Sequence, residues 1–470
     1  MSDTTSSPSW GAGLFLTFVE GAKQLGRKLR WVALGLLLLV MQWPLSLVDN
    51  LVRERQARRD EARGEVGAHF GMPQLLTGPV LTVPYRIWKT EEWETNGKKN
   101  RKVTWHRGYA HFLPAELRVK AAVAPELRRR GLFEIPVYTA ALDLAGRFDP
   151  PSFEAWSVAP DDVLWAEAWM SVEVTDRKAI TAPIALTLGQ ETLRFEVGSP
   201  EGAPLPRSLQ SRVAAARAGG DFTGQVRLRG SERLSVAPMG GRTTLTMKST
   251  WPHPSFDGAY LPDHRTVGAS GFEADWSVLR FGRDFGQQWN TGTLDGRVVD
   301  ASAFGTSFKN PTDLYSEVAR STRYSLLFLV MTFLILYLWE VLRKKPVHPL
   351  QYLLCGCALA LFYVLELALA EHFGFLGAYA AAAGAIVVLI GLYARAIFAS
   401  GRGAGALGGM LAALYVFLFV TLQAEDHALL IGALGLLALL AAVMYATRRL
   451  NRGPEAGSTA ETAGSTLPVG

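Results

Sequence analysis

WVALGLLLLVMQWPLSLV, residues 31–48, is the stretch whose reading decides the architecture. It holds no charged side chain and comes close to the roughly 20 residues an α-helix needs to cross a bilayer core. Five comparable apolar runs lie at 325–342, 350–370, 375–398, 405–423 and 428–447. Between the first run and the second stands a polar, Trp-bearing segment of about 270 residues, enough for one large or two small domains. The mean hydropathy of only +0.14 averages these two populations. The expected architecture is a mixed membrane protein. It has an N-terminal transmembrane anchor, a large all-β, sandwich-like domain outside the bilayer, and a C-terminal bundle of five transmembrane helices.

Charge sets the orientation. Lys23, Arg27, Lys28 and Arg30 precede the first run, and Arg343, Lys344 and Lys345 follow the second. Arg395 and Arg402 lie between the fourth and fifth, and Arg448, Arg449 and Arg452 follow the sixth. The alternate short loops carry Glu371 with His372, then Glu425, Asp426 and His427, without Lys or Arg. Basic residues in short loops mark the cytosolic side. Residues 1–30 and 448–470 are therefore expected in the cytosol and 72–324 on the far side. The net charge of +6 is read as this topology signal, and no nucleic-acid partner is expected. No A-x-A-like cleavage site follows the first run, where the chain reads Ser46-Leu47-Val48-Asp49, so it is expected to stay as an anchor.

Residues 49–71, DNLVRERQARRDEARGEVGAHFG, lack proline and are dense in Arg and Glu. They read as a charged helical stalk, with Glu54 and Arg58 as an i,i+4 pair. Residues 10–30 read as a surface helix with Leu14, Phe15, Phe18 and Leu25 towards lipid, and 2–9 and 453–470 read as disordered tails. From Pro79 the pattern changes. Segments 81–85, 116–122, 135–144, 170–174, 184–188, 193–197, 224–228, 243–249 and 272–279 alternate or are β-branched, with Pro and Gly between them. This predicts an antiparallel β domain, with helix only around 124–130 and 208–218. A weak likeness between 116–148 and 224–256 hints at two related β units.

Several residues are candidates for chemistry. Trp251-Pro252-His253-Pro254 places a histidine between two prolines and reads as a structural corner, since no HxH, HExxH or CxxC partner accompanies it. His106 and His111 are an odd number of residues apart, which on a strand puts them on opposite faces. Cys355 and Cys357 diverge on a helix and have no third ligand nearby, so they read as packing residues. Glu371, His372, Glu425, Asp426 and His427 form the candidate functional cluster. Carboxylates with histidines at the outer ends of a bundle suit a divalent cation or a pH response, and the plain alternative is polar caps on short loops. Glu340, Glu366 and Arg395 lie near helix ends, within reach of headgroups, and no deeper ionisable group points to transport. Small residues at Gly401, Gly405 and Gly409, and at Gly377, Ala381 and Ala385, mark helix faces for close packing, within one chain or between two copies. No catalytic constellation, metal set or cofactor motif is found.

In order along the chain stand Gly71 with Gln74, Gly78-Pro79, Val83-Pro84-Tyr85, Ile135-Pro136-Val137-Tyr138, Leu144-Ala145-Gly146-Arg147-Phe148 and Trp251-Pro252-His253-Pro254-Ser255-Phe256. Gly271-Phe272, Arg320 with Tyr324, the run from His348 to Leu354, Glu371-His372-Phe373-Gly374-Phe375 and the run from Glu425 to Leu430 follow. Through these the chain resembles the CreD family of inner-membrane proteins, from about Arg55 to Arg449. His427 departs from an aromatic usual there, and Glu366 from a small or apolar residue. The resemblance implies an inner-membrane location, a periplasmic β domain, and a role in envelope stress, β-lactam response and colicin tolerance under a sensor kinase. It supplies no catalytic residue. The leading expectation is a non-enzymatic protein that maintains the envelope. Its partners would be the bilayer and a periplasmic protein, lipid or cell-wall ligand. The alternatives are a transporter of lipid or small amphipathic molecules and a hydrolase of envelope polymers resting on His253.

Overall fold

The computed structural model describes residues 10–95, 98–198, 201–290, 292, 294–308, 314–343, 347–424 and 427–447. The described residues fall into two compact units. One holds the chain up to Arg55 and from Leu314 onward, and the other holds Gln56–Thr312.

The second unit is built of strands. They are β1 Gln74–Thr95, β2 Lys98–Phe112, β3 Glu116–Arg130, β4 Phe133–Phe148, β5 Trp169–Val174, β6 Ala185–Leu188, β7 Glu191–Arg194, β8 Glu196–Val197 and β9 Leu209–Arg212. Then come β10 Gly220–Ser231, β11 Arg233–Val236, β12 Arg242–Ser249, β13 Pro254–Gly258, β14 His264–Gly268, β15 Gly271–Leu279, β16 Gln288–Trp289 and β17 Phe304–Phe308. One sheet runs β13-β17-β11-β1-β5-β9-β8, with β2 on β1 and β16 on β2. The other runs β14-β15-β12-β3-β4-β10-β6-β7. Alternation explains how they share a core. Along β3, Leu117, Val119, Ala121 and Val123 are buried while Arg118 and Lys120 face out. The inward residues of both sheets join one apolar cluster, from Val80 and Met170 of the first to Leu142 and Trp276 of the second.

Three expectations change. The sheets are mixed and not purely antiparallel, because β1 runs parallel to β11 and β3 parallel to β12. The unit is not wholly β either: a short helix, α2 Gly296–Ser302, capped by the Asp295 side chain, lies between β16 and β17. Residues 124–130 are also not helical. They prolong β3 and pair with β4 as far as Arg130 opposite Phe133, around a turn at Gly131. Within 208–218 a short 3₁₀ turn forms at Ala214–Arg217. The two segments that resemble each other lie side by side, since β12, β3, β4 and β10 are consecutive in one sheet.

Helix α1, Trp10–Phe70, contributes to both units. In the β unit its end lays Ala62, Val66 and Phe70 on Ile135, Val137 and Phe133. Arg63 pairs with Glu232 at 3.0 Å, and Glu65 with Arg130 at 2.9 Å. The helical unit adds α3 Leu314–Thr322, α4 Ser325–Arg343, α5 Pro349–Phe398, α6 Gly401–Gln423 and α7 Ala428–Thr447. Gly35–Phe70, Leu314–Val341, Pro349–Phe398 and Gly401–Gln423 are each long and apolar enough to cross a membrane. Helix α5 breaks at Gly374, whose φ of 74° suits glycine, into halves of about 25 residues, each roughly 36 Å long.

The small-residue stripes do not make the helix contacts. A Cβ placed on Gly401, Gly405 or Gly409 would meet nothing within 4 Å, and Gly377, Ala381 and Ala385 are exposed. Helices α5 and α6 meet instead through buried larger faces, including Ile386, Leu407, Leu411 and Tyr415. Close approach occurs at other glycines: a Cβ on Gly356 would come 2.6 Å from the Met41 sulfur, and one on Gly435 2.2 Å from Phe417. On the same turn as Gly356, Cys355 is buried and Cys357 exposed.

The two histidines of β2 part as their spacing requires, His106 exposed and His111 buried. The His111 Nδ1 lies 3.0 Å from the Thr82 hydroxyl, and its ring is 4.9 Å from that of Trp289. Burial pushes the imidazole down to about 4 from 6.5. The unfolded chain therefore takes up this proton first as pH falls. Stability present above about pH 6.5 is lost progressively down to about pH 4, by up to about 3 kcal/mol. Urea titrations of the full chain should show this slope, and His111→Gln should flatten it.

Candidate functional site

The buried polar core of the helical unit centres on Glu366. On α5, Leu359, Phe362, Tyr363, Glu366, Leu367 and Ala370 recur at helical spacing, and all are buried. On α3, Tyr315, Val318, Ser321 and Thr322 form the buried face. Glu366 is thus 0% exposed and faces the bundle, not the headgroups. The Ser321 hydroxyl lies 2.7 Å from Glu366 Oε2 and 3.0 Å from the Val318 carbonyl. One hydroxyl proton serves two acceptors. Glu366 Oε1 and the hydroxyl of Tyr363, one turn earlier, have no hydrogen-bond partner among the described residues. Aromatic rings surround them. Phe362 lies 4.6 Å from Tyr415 and 5.6 Å from Tyr379, and the Tyr379 hydroxyl donates to the Tyr415 carbonyl at 2.7 Å. Glu340, also placed near a helix end from sequence, is buried as well and accepts from the Tyr352 hydroxyl at 3.3 Å.

The residues of the candidate cluster go to different places. Glu371 Oε1 accepts from the Tyr315 hydroxyl at 3.2 Å and stands 3.7 Å from Arg55 of α1, with its side chain 8% exposed. His372, one residue on and about 100° around the helix, is exposed. His427 is exposed, and Glu425 and Asp426 lie outside the described residues. Among the described residues no group of three or more His, Cys, Asp or Glu side chains is placed to hold a metal ion. At the proline corner, Trp251 is buried, its indole donates to the His253 carbonyl at 3.0 Å, and Pro254 begins β13. His253 itself is exposed.

The β unit carries a cleft of about 390 Å³ that the sequence reading did not single out. Its floor is Trp169 at the start of β5 and Tyr109 on β2, with ring centroids 5.9 Å apart. Trp169 is only 7% exposed, and its indole N–H is buried without a partner among the described residues. Burial, then Glu201, raises the Tyr109 phenol above its ordinary value. Arg107 pairs with Glu167 at 3.0 Å on one wall, and Arg194, Glu196 and Arg212 stand on the other. Such a cleft offers an aromatic surface and charges of both signs. It suits a polar ligand with a flat face. The only sequence signal for it was the Trp content of the middle segment. Its residues come from strands far apart in the chain, so no local motif marks them.

The sequence profile of a family described as Inner membrane protein CreD matches residues 27–452. The chain is also 30% identical over 430 residues to Inner membrane protein CreD of Escherichia coli (strain K12), covering 88% of this chain and 91% of that one.

Two substitutions test the buried core. Ser321→Ala leaves both Glu366 oxygens unpaired and should lower the stability of the helical unit by about 1–3 kcal/mol. Glu366→Leu leaves Ser321 its Val318 acceptor and should be neutral or stabilising. Thermal aggregation of the full chain in lipid nanodiscs, read by size exclusion, checks both.

Proposed function

The chain belongs to the CreD family of inner membrane proteins, and from that premise we propose that it is a non-enzymatic protein maintaining envelope integrity, whose β unit captures an envelope component on the periplasmic side. The scheme has six crossings with both termini in the cytosol. The basic residues flanking the apolar runs support it, as does the break at Gly374, which divides α5 into two halves of spanning length. The observation that carries the binding role is the Trp169–Tyr109 cleft, lined by Arg107, Arg194, Arg212, Glu167, Glu196 and Glu201. The aromatic pair offers a stacking surface, and the Arg and Glu side chains of the lining offer charge-assisted hydrogen bonds. The captured component would be a periplasmic protein, a lipid or a cell-wall fragment.

A photocrosslinking side chain at Gln210, on the cleft wall, should trap that component in intact cells under envelope stress. Arg212→Ala removes a charge from the cleft lining, and it should weaken capture about tenfold, equivalent to about 1.4 kcal/mol. Absence of any adduct in stressed cells would sink the binding role.

A second reading, export of a lipid or amphipathic molecule, is favoured by the burial of Glu366. Ionisable groups inside membrane segments mark pathways by default. If it holds, proteoliposomes of the full chain should move such a substrate, and Glu366→Gln should abolish the flux without unfolding the bundle. Equal flux in both would remove Glu366 from any pathway.

A further inference from the structure

Strands β1 and β2 are longer than the sheet that holds them. Residues 74–82 of β1 pair with β11 and β5, and residues 111–112 of β2 pair with β16. From Arg86 opposite Arg107 to Thr95 opposite Lys98 the two strands pair only with each other among the described residues. This is a two-stranded ribbon of ten residues a side, about 33 Å long. An isolated ribbon of this kind is marginal in water. Its large apolar side chains are also exposed: Trp88 52%, Trp93 48%, Trp105 45%, Ile87 46% and Val103 51%.

The register shows where they lie. Trp88 and Trp105 are directly opposite one another, and Val103 is on the same face. Ile87 and Trp93 are on the other face. Between them the segment 86–107 carries seven Lys or Arg against three Glu, a net charge of +4. The ribbon's polar ties to the body are at its base, where the Trp88 indole donates to Asp162 at 2.8 Å and Arg107 meets Glu167.

We propose that this ribbon is a docking arm for a bilayer surface bearing anionic lipid headgroups. Three observations select that occupant. Indoles are amphipathic and settle at headgroup depth. The cations interleaved with them complement phosphate at such a surface. Apolar residues on both faces suit a fluid medium that wraps the arm, where a protein groove would cover one face. The unpaired outer edges of the ribbon limit the depth. They keep backbone N–H and C=O groups in the wet headgroup layer and out of the hydrocarbon. The arm adjoins the Trp169 cleft at Arg107, but the residues that would meet the bilayer, Trp88, Trp93, Val103 and Trp105, do not line it.

The test uses the full chain with Cys355→Ala and Cys357→Ala, and an environment-sensitive fluorophore on Thr90→Cys, an exposed site on the arm. The protein is reconstituted in vesicles of phosphatidylcholine alone or mixed equally with phosphatidylglycerol. The expected result is a blue-shifted, several-fold brighter emission with phosphatidylglycerol. About 1 M salt should reverse it, because the screening length falls to about 3 Å. Trp93→Ser with Trp105→Ser should lose the signal at an unchanged urea midpoint, as exposed positions allow. Water-like emission in both vesicles overturns the proposal, and so does an equal shift in both. A shift that appears only when soluble envelope proteins are added would assign the arm to a protein partner and overturn it too.

Discussion

The contact from Ser321 Oγ to Glu366 Oε2, 2.7 Å long, ties α3 to α5 inside a largely apolar bundle. Away from water such a bond is stronger than at a surface, and any polar atom left out of it is more costly. Here one carboxylate oxygen and the Tyr363 hydroxyl are left out. The helical unit thus carries an incompletely satisfied polar centre, walled by Phe362, Tyr379 and Tyr415. A second polar layer, Arg55 and Tyr315 on Glu371, joins α1, α3 and α5. Stability alone does not call for either arrangement, since apolar side chains of similar volume pack a membrane bundle at less cost. Both lie where a bundle would respond to a bound group or a change of state.

In the β unit a single strand links the core to the surface. The inner half of β1 places Leu76, Val80, Leu81 and Val83 in the shared core and accepts parallel and antiparallel neighbours. Its outer half leaves that core and becomes one side of the exposed ribbon. The neighbouring strand β2 supplies Tyr109 to the cleft, His111 to the interior and Trp105 to the ribbon. Cleft and ribbon therefore share their scaffold while presenting unlike chemistry.

Much of this was legible in sequence, and the gaps have physical causes. Apolar runs announce helices that suit a bilayer, and alternation announced β3, β4, β12 and β15, whose two faces meet different surroundings. Strand β2 was missed because residues 98–107 are exposed on both faces over most of their length and so show no alternation. The same holds for β14, which is exposed throughout. The charged residues after Pro125 looked helical, yet pairing with β4 overrode that local preference. Parallel pairing of β3 with β12 joins segments more than a hundred residues apart and leaves no local trace. Glu366 was visible, but its position near a helix end suggested headgroups. Its burial follows from α3 packing against the same face of α5, which the period of either helix does not reveal.

The two thiols of α5 have a practical consequence. Cys357 is exposed on the helix surface, open to a membrane-permeant reagent once the protein is in detergent, while Cys355, half a turn away, is sealed against its neighbours. A maleimide that labels one and spares the other reports closed packing around Met41 and Gly356, and double labelling reports that the helices have parted. The chain so carries its own gauge of loosening, with no engineered reporter in the strand-built half, which contains no thiol to confuse the count.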